Sequence, residues 1–376
     1  MRSAQFVLGS ACAGVVALAA SPAWAATIRY DNGGSDNTWE TSSNWVGDVL
    51  PGTLDLAEVS VSTLTGGSSL AVSISSVQNV NEVVIGHPLS SVNNVAGTTT
   101  LNVLPGAVLT VPGGGIVNSG MRIGRALNVG DALGSSVARV IQTGGTAQIS
   151  LGSNGFRMSA ADAGNVADSY YRVSDGIVRG DNDATGPALA DLRVGATGSN
   201  FLAAEFHVLG SGPDEIRFLD VQVADSIAQV AASGGASGRS IFHWSLDNGG
   251  TTAILADDEF QFRSTSATTV GRLQVDINGA AEPPQSDITL VTADRLGNNG
   301  GALEAFSNFA DGATLVATGT AWAYTYTVDY TDAGDNGILD ASIVLHYVSR
   351  EVIPEPGSLA LLGLGGLAIL RRRRDA

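Results

Sequence analysis

Apolar and polar residues alternate in short runs along most of this chain, and a sustained helical period is absent, so the pattern predicts many short strands. A four-residue element recurs as Val83-Val84-Ile85-Gly86, Met121-Arg122-Ile123-Gly124, Phe156-Arg157-Met158-Ser159 and Leu192-Arg193-Val194-Gly195. Its third positions lie 38, 35 and 36 residues apart. A second apolar element with a turn soon after, led by Val103, Ile141, Val173 and Val208, trails the first by 18, 18, 15 and 14 residues. Two short strands per unit at a near-constant period predict an all-β fold, the stacked rungs of a right-handed β-solenoid (β-helix). In the first element the outer two apolar residues point inward and the middle one, Arg122, Arg157 or Arg193, points outward. Gly or Ser at the fourth position turns the chain from one face to the next. A β-sandwich with coincidental spacing is the competing arrangement.

The flanks read as caps. Upstream, Trp39, Asn44, Trp45 and Pro51 lead into the alternating stretch Ala57 to Val61. Downstream, the aromatic strand Trp322 to Tyr330, the acidic turn Asp332 to Gly337 and the strand Ile338 to Val348 predict a hairpin that seals the open edge of the solenoid. The expected division is residues 1–25, an N-terminal β cap over 26–80, solenoid repeats over 81–220, a C-terminal β region over 221–350, and a tail over 351–376. Both caps resemble the opening and closing segments of secreted bacterial β-helix and autotransporter-like surface proteins.

The two ends carry transport signals. Met1-Arg2, the apolar run Phe6 to Ala20 and the small-x-small site Ala23-Trp24-Ala25 predict a secretory signal peptide cut after Ala25. Cys12 lacks the preceding Leu of a lipidation site, so no lipid anchor is expected. In the tail, Pro354-Glu355-Pro356 precedes the apolar run Gly357 to Leu370 and the cluster Arg371, Arg372, Arg373 and Arg374. The prolines hold the backbone extended for a protease, and as a helix the run would reach about 21 Å against a hydrocarbon core of about 30 Å. The short transmembrane helix expected over 357–370 is therefore a marginal anchor, with the arginines on the cytoplasmic side and the body outside. The order of Pro-Glu-Pro, apolar helix and Arg cluster resembles the PEP-CTERM family. That resemblance implies recognition by an exosortase, a membrane protease-transpeptidase, after export through the Sec translocon. It also implies transient inner-membrane residence and then delivery to the cell surface or extracellular matrix.

Composition narrows the body's role. Of 19 cationic and 36 acidic residues, five cations (Arg2, Arg371 to Arg374) and two acids (Glu355, Asp375) lie in the end segments, which leaves 14 cations against 34 acids between them. Such a balance offers no footprint for nucleic acid. Every cation is Arg, so lysine chemistry is excluded, and the lone Cys12 falls in the signal segment, which leaves no disulfide or thiolate metal site. His87, His207, His243 and His346 show no metal-ligand spacing, and no linear catalytic motif occurs. The acidic turns Asp181-Asn182-Asp183, Asp257-Asp258-Glu259 and Asp329, Asp332, Asp335, Asn336, Asp340 carry the oxygen ligands calcium prefers, without the order of a known calcium loop. No cofactor or resident metal is expected, and calcium is the one ion those turns would suit. The Arg column is open to two readings, neutralisation by the surplus acids or a docking strip for acidic polysaccharide. The leading expectation is a non-enzymatic envelope or matrix protein associated with exopolysaccharide. The alternatives are a polysaccharide lyase or hydrolase, which needs convergent groups in a groove, and an adhesin or calcium-dependent sugar-binding module.

Overall fold

A computed structural model of the chain describes residues 26–60, 69–86, 97–112, 120–125, 136–149, 152–158, 167–180, 190–195, 203–225, 239–264, 271–297, 305–332 and 338–353. Ala23, Ala25 and the tail from Pro354 through Arg374, with its expected transmembrane helix, lie outside the described residues. No helix among the described residues is long and apolar enough to cross a membrane.

Parallel pairing sorts the strands into three columns, one for each face of a β-solenoid. The first face stacks Thr27–Arg29, Leu56–Val59, Glu82–Gly86, Met121–Arg125, Gly152–Met158, Ala190–Val194 and Val221–Asp225, then the later parts of Ile254–Ser264 and Ile288–Gly297. The second face stacks Ser69–Ile74, Gly97–Val103, the first halves of Ser136–Ile149 and Ala167–Arg179, then Ala203–Leu209, Arg239–Leu246 and Arg272–Ile277. The third face takes Val77–Asn79, Val108–Val111, the second halves of Ser136–Ile149 and Ala167–Arg179, Pro213–Phe218, and the early parts of Ile254–Ser264 and Ile288–Gly297. Each turn thus has three strands where the repeat predicts two. The third strand escapes a periodicity search because in two turns it is fused to the second across the corner. The parallel ladders also run past 81–220, reaching from Thr27 to Gly297.

The first repeated element sits as its pattern dictates. Met121, Phe156 and Leu192 form one inward column and Ile123, Met158 and Val194 the next, all fully buried. Arg122, Arg157 and Arg193 lie in register between them. At the corner Gly124 has φ 72° and Gly195 φ 83°, the left-handed region where a side chain would be strained.

The second element departs from the expected register in one unit. Gln142, rather than Ile141, pairs with Val103 and Val173 and is fully buried, while Ile141 faces outward. A buried amide is tolerated because it is saturated: Gln142 accepts from the Tyr171 hydroxyl and donates to the carbonyls of Gly145 (3.2 Å) and Ile177 (3.0 Å). Tyr171 in turn stacks on Phe206 at 5.4 Å, within a run of buried rings that continues through Phe242 to Phe260. One core fills the interior from end to end.

Unpaired strand edges at both ends are covered, as the caps predict. Trp39 and Trp45 pack edge to face at 4.7 Å and are fully buried, and the Trp39 amide donates to Ser73, the exposed rung of the second face. Glu40 Oε1 accepts from the amides of Ser75 and Ser76 beside the third face (2.7 and 2.9 Å). At the other end Ala341–Val352 pairs antiparallel with Ile288–Gly297 and with Trp322–Thr331, which closes the third face. The Asn308 side chain accepts from Leu273 N (3.0 Å) and donates to Leu273 O (2.7 Å), which blocks the second face. Asp332 accepts from Leu296 N (3.3 Å) on the first face. Side chains here imitate the next rung and deny the edge to another chain.

Candidate functional site

The arginine column of the first face is occupied by internal partners. Arg193 pairs with Asp191 at 3.3 Å, Arg122 is 9% exposed, and Arg122 and Arg157 both have partners of their own. These side chains are engaged within the chain, and the strip presents no row of free guanidinium groups. The acidic turns are similarly engaged. Asp257 receives Arg217 Nε on both oxygens at 3.0 Å, Asp258 and Glu259 face Arg295 at 3.5 and 3.4 Å, and Asp329 accepts from Thr331. Asp181, Asn182, Asp183, Asp335, Asn336 and His87 lie outside the described residues. His346 bonds Asp287 at 2.8 Å near the closing hairpin.

The second face is different. Its outward positions align Arg139, Tyr170, Glu205, Ile241 and Arg272 on successive rungs, and beside them Ile141, Arg172, His207, His243 and Gln274. Among the described residues no carboxylate is paired with Arg139, Arg172 or Arg272, although acids outnumber cations by more than two to one in the body. A groove of about 570 Å³ opens there, lined by Arg139, Tyr170, Arg172, Asp168 and Glu205. Burial pushes the Tyr170 hydroxyl up, as does Glu205, while Arg172 and Arg139 oppose the shift, so the phenol stays protonated.

Beside the groove two imidazoles stack in register. The rings of His207 and His243 lie 3.9 Å apart and 5° from parallel, an arrangement that the in-register pairing of their strands imposes. His207 Nδ1 meets the Tyr170 hydroxyl and its Nε2 meets Ser245 Oγ, both at 2.8 Å. His243 Nδ1 meets Glu205 Oε1 at 2.8 Å and its Nε2 meets Asp276 Oδ2 at 3.0 Å. Burial and the neighbouring charge on His243 lower His207 to about 4, so it is neutral. Burial works against charge on His243 too, but hydrogen bonds and attraction from Asp276 and Glu205 outweigh it and raise that ring to about 9. A neutral imidazole thus rests on an imidazolium clamped by two carboxylates.

A search for linear motifs misses this cluster because its residues are spread over successive turns. The signal was present in the period: His207 and His243 are 36 residues apart, as are Glu205 and Ile241, while Tyr170 and Glu205 differ by 35. Residues one repeat apart on the same face become neighbours about 5 Å apart. Chemically, two guanidinium groups that flank a phenol in a groove and have no carboxylate partner among the described residues suit planar anions on a sugar chain, carboxylate or sulfate, with the phenol as a stacking or hydrogen-bonding surface.

No curated protein and no solved structure matches the chain. A family model does, over residues 352–374, and it is the PEP-CTERM protein-sorting motif, which marks this β-solenoid as an exported protein sorted by an exosortase to the cell surface or beyond.

Proposed function

We propose that the protein is a non-enzymatic component of the cell envelope or extracellular matrix that holds acidic exopolysaccharide along the second face of its solenoid. The observation that carries this reading is the placement of Arg139, Arg172 and Arg272. In a strongly acidic protein these cations stand on one face without carboxylate partners among the described residues, two of them beside Tyr170 in a groove. Guanidinium groups without carboxylate partners on such a surface favour a polyanion of regular spacing. The test is retention of the mature protein on a polyuronate column against a neutral glucan column. The parent should bind the polyuronate in a salt-sensitive way, and Arg139→Ala with Arg172→Ala together should elute with the void. Equal retention by parent and double variant removes the groove from the proposal.

The hydrogen bond between Tyr170 and His207 beside two arginines favours a second reading, a lyase. Arginine would neutralise a uronate carboxylate while a base removes the adjacent proton. Growth of the ultraviolet absorbance of unsaturated uronate on incubation with polyuronate distinguishes the two, and the matrix reading expects none.

Sorting supplies the setting. In our reading the Sec translocon exports the chain, cleavage follows Ala25, and the tail holds the protein briefly in the inner membrane with Arg371 to Arg374 inside. Exosortase then acts at Pro354-Glu355-Pro356. Changing those three residues to Ala should leave tail and body together in the inner-membrane fraction, while the parent loses tail-specific antibody signal in a host that has the exosortase. Tail retained by the parent in that host identifies a permanent anchor.

A further inference from the structure

The stacked imidazoles stand between two rows of oxygen atoms. On one side, Ser245 Oγ and Asp276 Oδ2 hold the Nε2 atoms of His207 and His243. On the other side both Nδ1 atoms are directed toward Tyr170 and Glu205 at the rim of the groove. One ligand atom each from Glu205, His207 and His243 lies within 4.8 Å of the others, and among the described residues this is the one group of three that does so. We propose that Nδ1 of His207, Nδ1 of His243 and a Glu205 oxygen bind a divalent transition metal of the zinc class, with the fourth position open toward the groove.

The donor set decides the class of ion. Two imidazole nitrogens and one carboxylate suit Zn²⁺, Cu²⁺ or Ni²⁺, whereas Ca²⁺ and Mg²⁺ require a shell of oxygens. The outer contacts are those a metal site uses. Asp276 on His243 Nε2 reproduces the carboxylate–histidine–metal arrangement, which fixes the ring and strengthens the other nitrogen as a ligand, and Ser245 orients His207 in the same sense. The ion takes the place of the proton now shared between His243 Nδ1 and Glu205, and that proton leaves to solvent. Imidazole lone pairs lie in the ring plane, so the two rings must tilt from their parallel stack to converge on one ion.

The experiment titrates the mature protein, stripped by a chelator and free of polysaccharide, with Zn²⁺ by calorimetry and with Co²⁺ by visible absorption. One equivalent of Zn²⁺ is expected, with proton release that scales with buffer ionisation enthalpy, and Co²⁺ bands of a site with nitrogen and oxygen ligands. Glu205→Gln and His243→Ala should lower the affinity, and Asp276→Asn should lower it about tenfold or more through the ring it orients. Circular dichroism of each variant checks the fold, and Glu205→Gln, nearly isosteric, covers the case in which a His variant fails to fold. Absence of Zn²⁺ binding by the parent, unchanged binding by folded Glu205→Gln, or a preference for Ca²⁺ overturns the site. Polysaccharide retention is measured separately, so either reading can fail while the other stands.

Discussion

Replacing Gln142 by Ala tests the register of the second face at its least expected point. The Gln142 side chain is fully buried and closes three hydrogen bonds, with the Tyr171 hydroxyl and with the carbonyls of Gly145 and Ile177. Truncation leaves the buried Tyr171 donor without a partner, a loss of about 1–3 kcal/mol, and removes two further bonds worth about 1 kcal/mol each. These terms come to about 3–5 kcal/mol, and the void adds to them, so a loss of about 3–5 kcal/mol or more is expected. Removing both polar partners should recover part of it: Gln142→Leu with Tyr171→Phe should be less destabilised than Gln142→Leu alone, because no donor is then stranded. Ile141 faces outward, and Ile141→Thr should change stability by less than about 1 kcal/mol. Urea unfolding followed by far-ultraviolet circular dichroism reads all four variants through their midpoints at constant slope. If Ile141→Thr falls as far as Gln142→Ala, the inward residue is Ile141 and the pairing of Gln142 with Val103 and Val173 is wrong.

Three further outcomes follow from the same geometry. Val194→Asp places an unpaired carboxylate in the fully buried inward column of the first face and should lower stability by about 3–5 kcal/mol or prevent folding; a parental melting curve would remove Val194 from the core. Asn308→Ala uncovers the last strand of the second face, with about 1–2 kcal/mol lost in urea and concentration-dependent association in sedimentation velocity; a variant as stable and monodisperse as the parent shows that Leu273 needs no cap. Asp220 is raised to about 6 by burial and by the charges of Asp191 and Asp258. Because the folded state raises this carboxyl above its unfolded value, the ionised form is a penalty that is fully present above about pH 6 and relieved as pH falls toward the ordinary carboxylate range. Asp220→Asn, which keeps an acceptor for Glu259 N, should therefore melt above the parent at pH 8 and converge with it near pH 4; equal melting at pH 8 means the penalty is absent.

What could be read along the chain was whatever depends on period and local chemistry. The 35-to-38-residue recurrence of an apolar-x-apolar-Gly element dictates stacked rungs, because identical short strands one turn apart satisfy one another's backbone groups and bury the same two positions. Met121, Ile123, Phe156, Met158, Leu192 and Val194 are accordingly all core. The Trp39 and Trp45 cap and the closing hairpin were legible for a similar reason, since a solenoid of this kind must end in something that covers its edge and core. The sorting motif over 352–374 is linear and is recognised as a linear signal.

Other features exist only once the turns are stacked. The third strand per turn and the inward Gln142 depend on how the chain rounds a corner between faces, and a one-residue shift there reverses the inside and outside of a strand without altering its apolar content much. The groove and the imidazole stack depend on lateral register between strands some 30 to 40 residues apart. Arg139, Tyr170, Arg172, Glu205, His207 and His243 carry no motif among themselves, and parallel pairing across four rungs is what brings their side chains together. Which arginines are neutralised is also a tertiary outcome. Arg193 finds Asp191 two residues away on its own strand, whereas of the acids that line the groove with Arg139 and Arg172, Glu205 is bound to His243 and Asp168 accepts from the Ala203 amide.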